Sequence, residues 1–453
     1  MTTGPSDKWS RIAALRPARP AAVRPAPLRS PEPGSVAELL GAETAGNRFG
    51  EHLAVRRWFS TPELFEPAPA AFDLLARARD PAETRAARQA LDDPSRWLFL
   101  DTETTGLAGG AGTYAFLVGI AWWDSGGLQV EQFFMRDYTD EHSILHELAA
   151  RLAERPALFT FNGKCFDWPL LETRFLMTRS IPLPRLAAHF DLLHPARALW
   201  KLRLGSVRLV ELERHVLDAP RLGWHRGDDV DSALIPQLYF DYLRGGPAHP
   251  LSGVLRHNQM DLRGLAALLG KITALLADAD PRAESADGAL DLYGLARFLH
   301  RRGEHARARS ACRSALDAGL PAEFRPVACV ELARLAKRHG DFAQAAALWE
   351  ELAADPRDGV AACEELAIHY ERRVHDLRRA LHYTRLGLRK ARLLCTKPEN
   401  ALLSGRFVRL EEKFLRRLAR LELRVQNATL ALPPPVFVRS AGASGPARKR
   451  NTT

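Results

Sequence analysis

The sequence predicts a mixed α/β domain over residues 97–272 followed by an all-α helical-repeat domain, and three observations carry that reading. At Trp97 the apolar run WLFLD ends in a carboxylate, as a buried sheet strand would. Two more β-branched and aromatic runs, TYAFLVGIAWW and LQVEQFFM, follow across a glycine-rich loop and a turn at Asp124 to Gly127. Beyond residue 289 the strand signal ends and a pattern recurs, with turn positions Gly303, Gly340 and His375 spaced by 37 and 35 residues.

Taken in order, residues 1–48 are rich in Pro, Arg and Ala with little periodicity and read as a disordered tail. AFDLLARA and ETRAARQALDD are short helical patterns, so residues 49–96 read as a helical N-terminal arm. Within WLFLDTE, Asp101 and Glu103 are two apart, so a strand aims both at one face while Thr102 points away. Asp140 is placed to cap a helix whose stripe is Ile144, Leu145, Leu148 and Leu152, closed by Pro156, and ALFTFN returns as a fourth strand. Helices and loops then alternate to a helix from about Leu251 to Ile272. On it His257 and Asp261 stand at i and i+4, on the stripe of Val254, Leu265 and Leu268 that faces the sheet. A carboxylate on a buried stripe must be paired or bind metal, and Arg256 and Arg263 are the candidate ion-pair partners.

In residues 289–425 each repeat places Leu-Ala ahead of the turn and a small residue after it: Leu295, Ala296 and Ala308; Leu332, Ala333 and Ala345; Leu366, Ala367 and Ala380. Helical hairpins of this period bury their small positions against the next unit. The third copy has an extra residue and no turn glycine. Residues 432–453 read as a disordered basic tail.

A chain of 453 residues exceeds one ordinary core, and 46% hydrophobic with 26% charged residues excludes fibrous and wholly disordered classes. The apolar run Tyr114 to Trp123 is about half the ~20 residues that cross a bilayer, and Pro17, Pro20, Pro25 and Pro27 break any signal-peptide core, so the expected location is cytoplasmic. Five scattered cysteines without a CxxC read as reduced thiols. Residues 97–270 hold 17 basic against 20 acidic residues, whereas residues 271–430 hold 29 against 22. A carboxylate-rich middle suits divalent cations, and a basic C-terminal half suits a phosphate backbone.

DTETTG, FNGKCFD and HNQMD together resemble the three motifs of the DEDD superfamily of 3′–5′ exonucleases, the DnaQ-like branch of the ribonuclease H fold, over about residues 97–272. The segments TTGLAGGAGTYAFLVG and DLLHPARALW look most like the YprB-like branch of predicted exonucleases. The resemblance implies a mixed five-stranded sheet with flanking helices. It implies that Asp101, Glu103, Asp167 and Asp261 hold two divalent cations, Mg²⁺ or Mn²⁺, and that His257 is the general base. His257 stands at the spacing of the superfamily's tyrosine class, and Arg256 occupies the position used by its histidine class. Thr104, Asn162 and Phe166 lie in or beside these motifs and are read as substrate-binding. For the aromatics Phe161, Phe166 and Trp168, core packing is the favoured reading over base stacking, and for Asp191 a cap is favoured over a supporting acid. GLAGGAG lacks the GK[ST] of a phosphate-binding P-loop and reads as a flexible loop beside the substrate.

The implied function is hydrolysis of DNA or RNA from a single-stranded 3′ end. Two other classes stay open: a non-catalytic adaptor on a nuclease fold, and a ribonuclease H-like endonuclease. The helical repeats resemble tetratricopeptide repeats and are read as binding the nucleic acid or a protein partner, with no membrane involved.

Overall fold

Trp97, Leu98, Phe99 and Leu100 are each at most 1% exposed, and around them the sheet is built. The computed structural model of the chain describes residues 33–60, 71–75, 88–106, 110, 112–124, 126–283, 285–355, 359–395 and 404–430. Contacts divide the chain into two units after Ala279. Most of the N-terminal tail, the basic tail from 432 and four residues of the glycine loop (107–109 and 111) lie outside the described residues.

In the first unit the strands are β1 (Glu43–Asn47), β2 (Gly50–Ser60), β3 (Trp97–Thr104), β4 (Ala115–Asp124), β5 (Gly127–Phe134), β6 (Ala157–Thr160) and β7 (Ala188–Asp191). They form one mixed sheet in the order β1-β2-β5-β4-β3-β6-β7, with β3-β6 and β6-β7 parallel and the other pairs antiparallel. Five strands come from residues 97–272, as expected, and two more come from the N-terminal segment. The expected helical arm over 49–96 is therefore corrected at β2, and the expected disordered tail at residues 33–48, which form α1 (Pro33–Leu40) and β1. A two-residue turn between Asn47 and Gly50 closes the β1–β2 hairpin, with Gly50 at φ +125°, a conformation that favours glycine. Fully buried Glu131 of β5 fixes β2, because its carboxylate accepts from Arg56 at 2.7 Å and from Arg151 at 2.8 Å.

Besides α1 and two four-residue helical turns, Phe72–Leu75 and Leu209–Leu212, the described helices of this unit are α2 (Glu141–Glu154), α3 (Asp167–Thr178), α4 (Leu193–Leu204), α5 (Ile235–Leu243) and α6 (Pro250–Ala277). Ile144, Leu145, Leu148 and Leu152 of α2 pack with Leu98 and Leu100 in the main core. The alternate residues of β3 meet aromatics instead, with Phe99 5.5 Å from Phe159 and 5.9 Å from Trp123 between ring centroids. Asp140 does not cap α2 through its side chain; its carboxylate binds Arg136 at 2.8 and 3.0 Å. Among the described residues no helix is long and apolar enough to cross a membrane.

The second unit is a run of helices, α7 (Ala286–Arg302), α8 (His305–Asp317), α9 (Arg325–Arg338), α10 (Phe342–Ala353), α11 (Gly359–His369), α12 (Leu377–Cys395) and α13 (Ser404–Leu430). Ala308, Ala345 and Ala380 are fully buried, as hairpins stacked on small positions require. Gly303 and Gly340 turn with φ of +86° and +81°. In the third hairpin a π-helical turn over Tyr370–Val374 takes up the extra residue, and His375 adopts the left-handed conformation at φ +59° in place of glycine. Cys312, Cys329 and Cys363 are buried inside these hairpins, and burial raises all three thiol pKa values.

Candidate metal centre

The site begins where β3 outruns a neighbour. Its parallel pairing with β6 ends at Phe99, so Asp101 and Glu103 are flanked in the sheet by β4 alone, and the register against β4 shifts between Glu103 and Thr104. Asp101 pairs with Gly119, whose missing side chain lets α6 approach the sheet: a Cβ there would overlap the Asn258 amide, 2.7 Å from its Cγ. Through that gap Asn258 Nδ2 donates to Asp101 Oδ2 at 2.8 Å, and Gln132 Nε2 donates to Asn258 Oδ1 at 2.8 Å. Asn258 and Gln132 are at most 1% exposed, so Asp101 is held by a buried polar chain. Gly119→Ala is expected to lose about 1–3 kcal/mol of stability by overpacking. Because it also unseats Asn258 from Asp101, a thermal melt and an activity assay are expected to fall together.

Asp167 arrives as the first residue of α3, where the helix dipole favours an acid. The turn before it is shaped by Asn162 at φ +67° and by Gly163, where a Cβ would lie 2.5 Å from Thr160 Cβ. Asp191 at the end of β7 fastens this turn by accepting from the Asn162 and Lys164 amides at 2.8 and 3.2 Å, besides capping Leu193 at 3.1 Å. Thr102, between the two acids on β3, donates its hydroxyl to Asp167 Oδ1 at 2.5 Å.

Helix α6 brings His257 and Asp261, on a stripe whose apolar members Val254, Leu265 and Leu268 are at most 1% exposed. The ion pair on Asp261 comes from neither Arg256 nor Arg263. Arg263 lies between the rings of Phe59 and Trp224, at 4.2 and 4.5 Å, while Arg226 binds Asp261 Oδ1. Arg226 also binds Glu213 through two bonds of 2.5 and 2.7 Å and Asp229 at 2.9 Å. Asp229 in turn accepts from His257 Nδ1 at 2.8 Å. A carboxylate only accepts, so Nδ1 donates to Asp229, and Nε2 stands 3.5 Å from Asp261 Oδ2 and 3.3 Å from Ser232 Oγ. Glu213, Arg226, Asp229, Asn258, Gln132 and Gly119 were not singled out from the sequence. Asn258 lies inside HNQMD, but the loop RGDDVD has no periodicity to mark Arg226 or Asp229.

Burial raises the Asp101 pKa well above the ordinary carboxylate range, and Asp261, Asp167 and Glu103 push it further, with the Asn258 bond opposing. Glu103 is raised well above its range by burial and then by Asp261, Asp167 and Asp229, against Arg226. Asp167 is pushed up to about 6, chiefly by burial. Burial works against the Arg226 charge, but its bonds to Glu213 and the charge of Asp261 outweigh that and raise the guanidinium pKa. One arginine thus faces a group of converging carboxylates, a donor set that fits hard divalent cations. Glu103, His257 and Asp261 each present a ligand atom within 4.8 Å of the others, and Asp101 and Asp167 lie outside that trio.

The residues expected at the substrate are less concentrated. Thr104 turns its hydroxyl to the Gly106 carbonyl at 3.0 Å, Asn162 shapes the turn, and Phe166 is 57% exposed, which overturns core packing for that ring. Trp168 is partly buried against the core and donates to Glu172 at 2.7 Å. Cys165 is exposed.

Residues 98–273 match the RNase_H superfamily. The chain is also 32% identical over 321 residues to a Bacillus subtilis (strain 168) protein called "Uncharacterized protein YprB", covering 70% of this chain and 74% of that one. The site described above lies within a nuclease fold, and the chain belongs to the YprB family, with an RNase_H superfamily domain in its first unit.

Proposed function

We propose that the chain is a metal-dependent 3′–5′ exonuclease of the DEDD class that hydrolyses phosphodiester bonds at a single-stranded 3′ end, with tetratricopeptide-like repeats in its second unit and a cytoplasmic location. The observation that supports this best is that Glu103 on β3 and His257 and Asp261 on α6 present ligand atoms within 4.8 Å of one another, and it agrees with the mutual influence of the charges of Asp101, Glu103, Asp167 and Asp261. These four are the proposed holders of two Mg²⁺ or Mn²⁺ ions, which when bound supply an activated water and charge stabilisation of the leaving oxygen.

The chain's own part follows from the geometry. His257, oriented by its Nδ1 bond to Asp229, turns Nε2 toward the site as the proposed acceptor of a proton from water. Asn258 and Thr102 hold Asp101 and Asp167 in place. Exposed Phe166, immediately before Asp167, offers a face on which a terminal base stacks, worth ~1–3 kcal/mol.

The test uses single-stranded DNA and RNA, 5′-labelled and linear or covalently closed into circles, in Mg²⁺ or Mn²⁺. A ladder shortening from the 3′ end of the linear strand, with circles intact, is expected. Cleavage of the circles would favour the endonuclease, and no cleavage of any substrate by folded protein would favour the adaptor. In the same assay His257→Gln is expected to lower kcat by ~10²–10⁴-fold, and Asp229→Asn less, since the imidazole remains.

A further inference from the structure

Six residues beyond the repeated Leu295, Leu332 and Leu366 stand Arg301, Arg338 and Arg372, and each is followed by another basic residue, Arg302, His339 or Arg373. All fall at or just beyond the C-terminal end of the first helix of a hairpin. First helices of successive hairpins run in the same direction, so these ends share one edge with the turns. The edge is continuous: Arg338 Nη1 donates to His305 Nε2 of the preceding turn at 3.2 Å, and the Arg373 guanidinium lies 3.3 Å over the Phe342 ring of the preceding hairpin.

Arg301, Arg338 and Arg372 are exposed. Among the described residues none of the three has a carboxylate partner within ion-pair distance, and the acids nearby are engaged elsewhere. Asp341 accepts from the Gln344 amide at 3.1 Å and pairs with Arg309 at 3.3 Å. Asp376 accepts from the Arg379 amide at 2.9 Å, and buried Glu371 binds Arg420 and Arg424. Glu304 remains as an exposed acid on this edge. The pKa of His305 is lowered by desolvation and then by Arg338, His300 and His339, which agrees with a positive field there. A basic residue at a helix C-terminus is favoured by the dipole, and here each end carries two.

We infer that this edge of the helical unit binds the phosphate backbone of a single-stranded nucleic acid, one arginine of each hairpin contacting the strand. Guanidinium forks match phosphate oxygens, and a repeated cation in helical register matches a ligand whose charge is itself periodic. The inference rests on reading the chain as a nucleic-acid enzyme.

The test is fluorescence anisotropy of the full chain with labelled dT20 and rU20 in EDTA, at several salt concentrations. The triple variants Arg301→Gln/Arg338→Gln/Arg372→Gln and the corresponding Glu set are compared with the unmodified chain, with circular dichroism to verify folding. At least tenfold weaker binding is expected in both. The slope of log Kd against log salt is expected to flatten by about 2, since each single-strand phosphate contact contributes roughly 0.7. Unchanged affinity and slope in a folded Gln variant overturns the inference, as does displacement of the oligonucleotide by poly-L-glutamate as readily as by unlabelled dT20. Binding is expected to survive Asp101→Asn, so a chain that binds through this edge and never cleaves would refute the exonuclease alone.

Discussion

Asp101→Asn is expected to abolish metal-dependent cleavage, by at least ~10³-fold, and to raise the melting temperature in EDTA. Metal ions contribute several kcal/mol of transition-state charge stabilisation, and each 1.36 kcal/mol is a factor of ten. The same carboxylate is a burden on the metal-free fold. It is held where β3 runs beyond its pairing with β6, carries the charges of Asp261, Asp167 and Glu103 upon it, and among the described residues has one side-chain donor, the neutral amide of Asn258. Asparagine keeps the volume and an oxygen to accept from Asn258, and removes one of the converging charges. A gain of about 1 kcal/mol, or roughly 2–4 °C, follows for a unit of this size. A variant that cleaves like the unmodified chain, or that melts lower in EDTA, would contradict the assignment.

Arg226→Ala is expected to destabilise the first unit by about 3–5 kcal/mol, because it strands Glu213, which is 2% exposed and bound by Arg226 through two bonds. Glu213 packs where a Cβ on Gly264 of α6 would overlap its carboxylate, so it has little room to move toward water. The same substitution releases Asp229, which holds His257, and Asp261. Adding Glu213→Gln to Arg226→Ala is expected to recover much of the stability, since a neutral amide is far cheaper to bury than a carboxylate. It is expected to recover little activity, because Asp229 and Asp261 still lack their cation. Denaturant melts of the two single variants and the double variant measure the coupling. An Arg226→Ala chain as stable as the unmodified one would show that the ion-pair cluster does not support the fold.

Asp101 and Glu103 were legible as a pair two residues apart on an apolar strand, and His257 and Asp261 as a pair four apart on a helix stripe that must face the sheet, whereas Asp167 was marked only by the resemblance of FNGKCFD to an exonuclease motif. The hairpins were legible because small residues recur at a fixed period. The N-terminal strands were not, since HLAVRRWF on β2 mixes four consecutive buried residues with an exposed stretch and shows no clean alternation. Its identity as a strand is set by the ladder to β5 and by Glu131, neither of which is local in sequence. The same holds for the residues that support the site. Gly119 sits in an apolar run where only the approach of α6, more than 130 residues later, explains the missing side chain, and Arg226 acquires its role from acids at positions 213, 229 and 261. Spacing exposes groups on one element, whereas partners drawn from several loops appear only when the chain is folded.

The most direct test of the metal centre is a calorimetric titration of Mn²⁺ into the full chain, beside Asp101→Asn, Asp261→Asn and, as a control in the helical unit, Asp341→Asn. Saturable binding that the control retains and that both site variants weaken at least tenfold is the expected result. No Mn²⁺ uptake by the folded chain, or equal affinity in all four proteins, would contradict it.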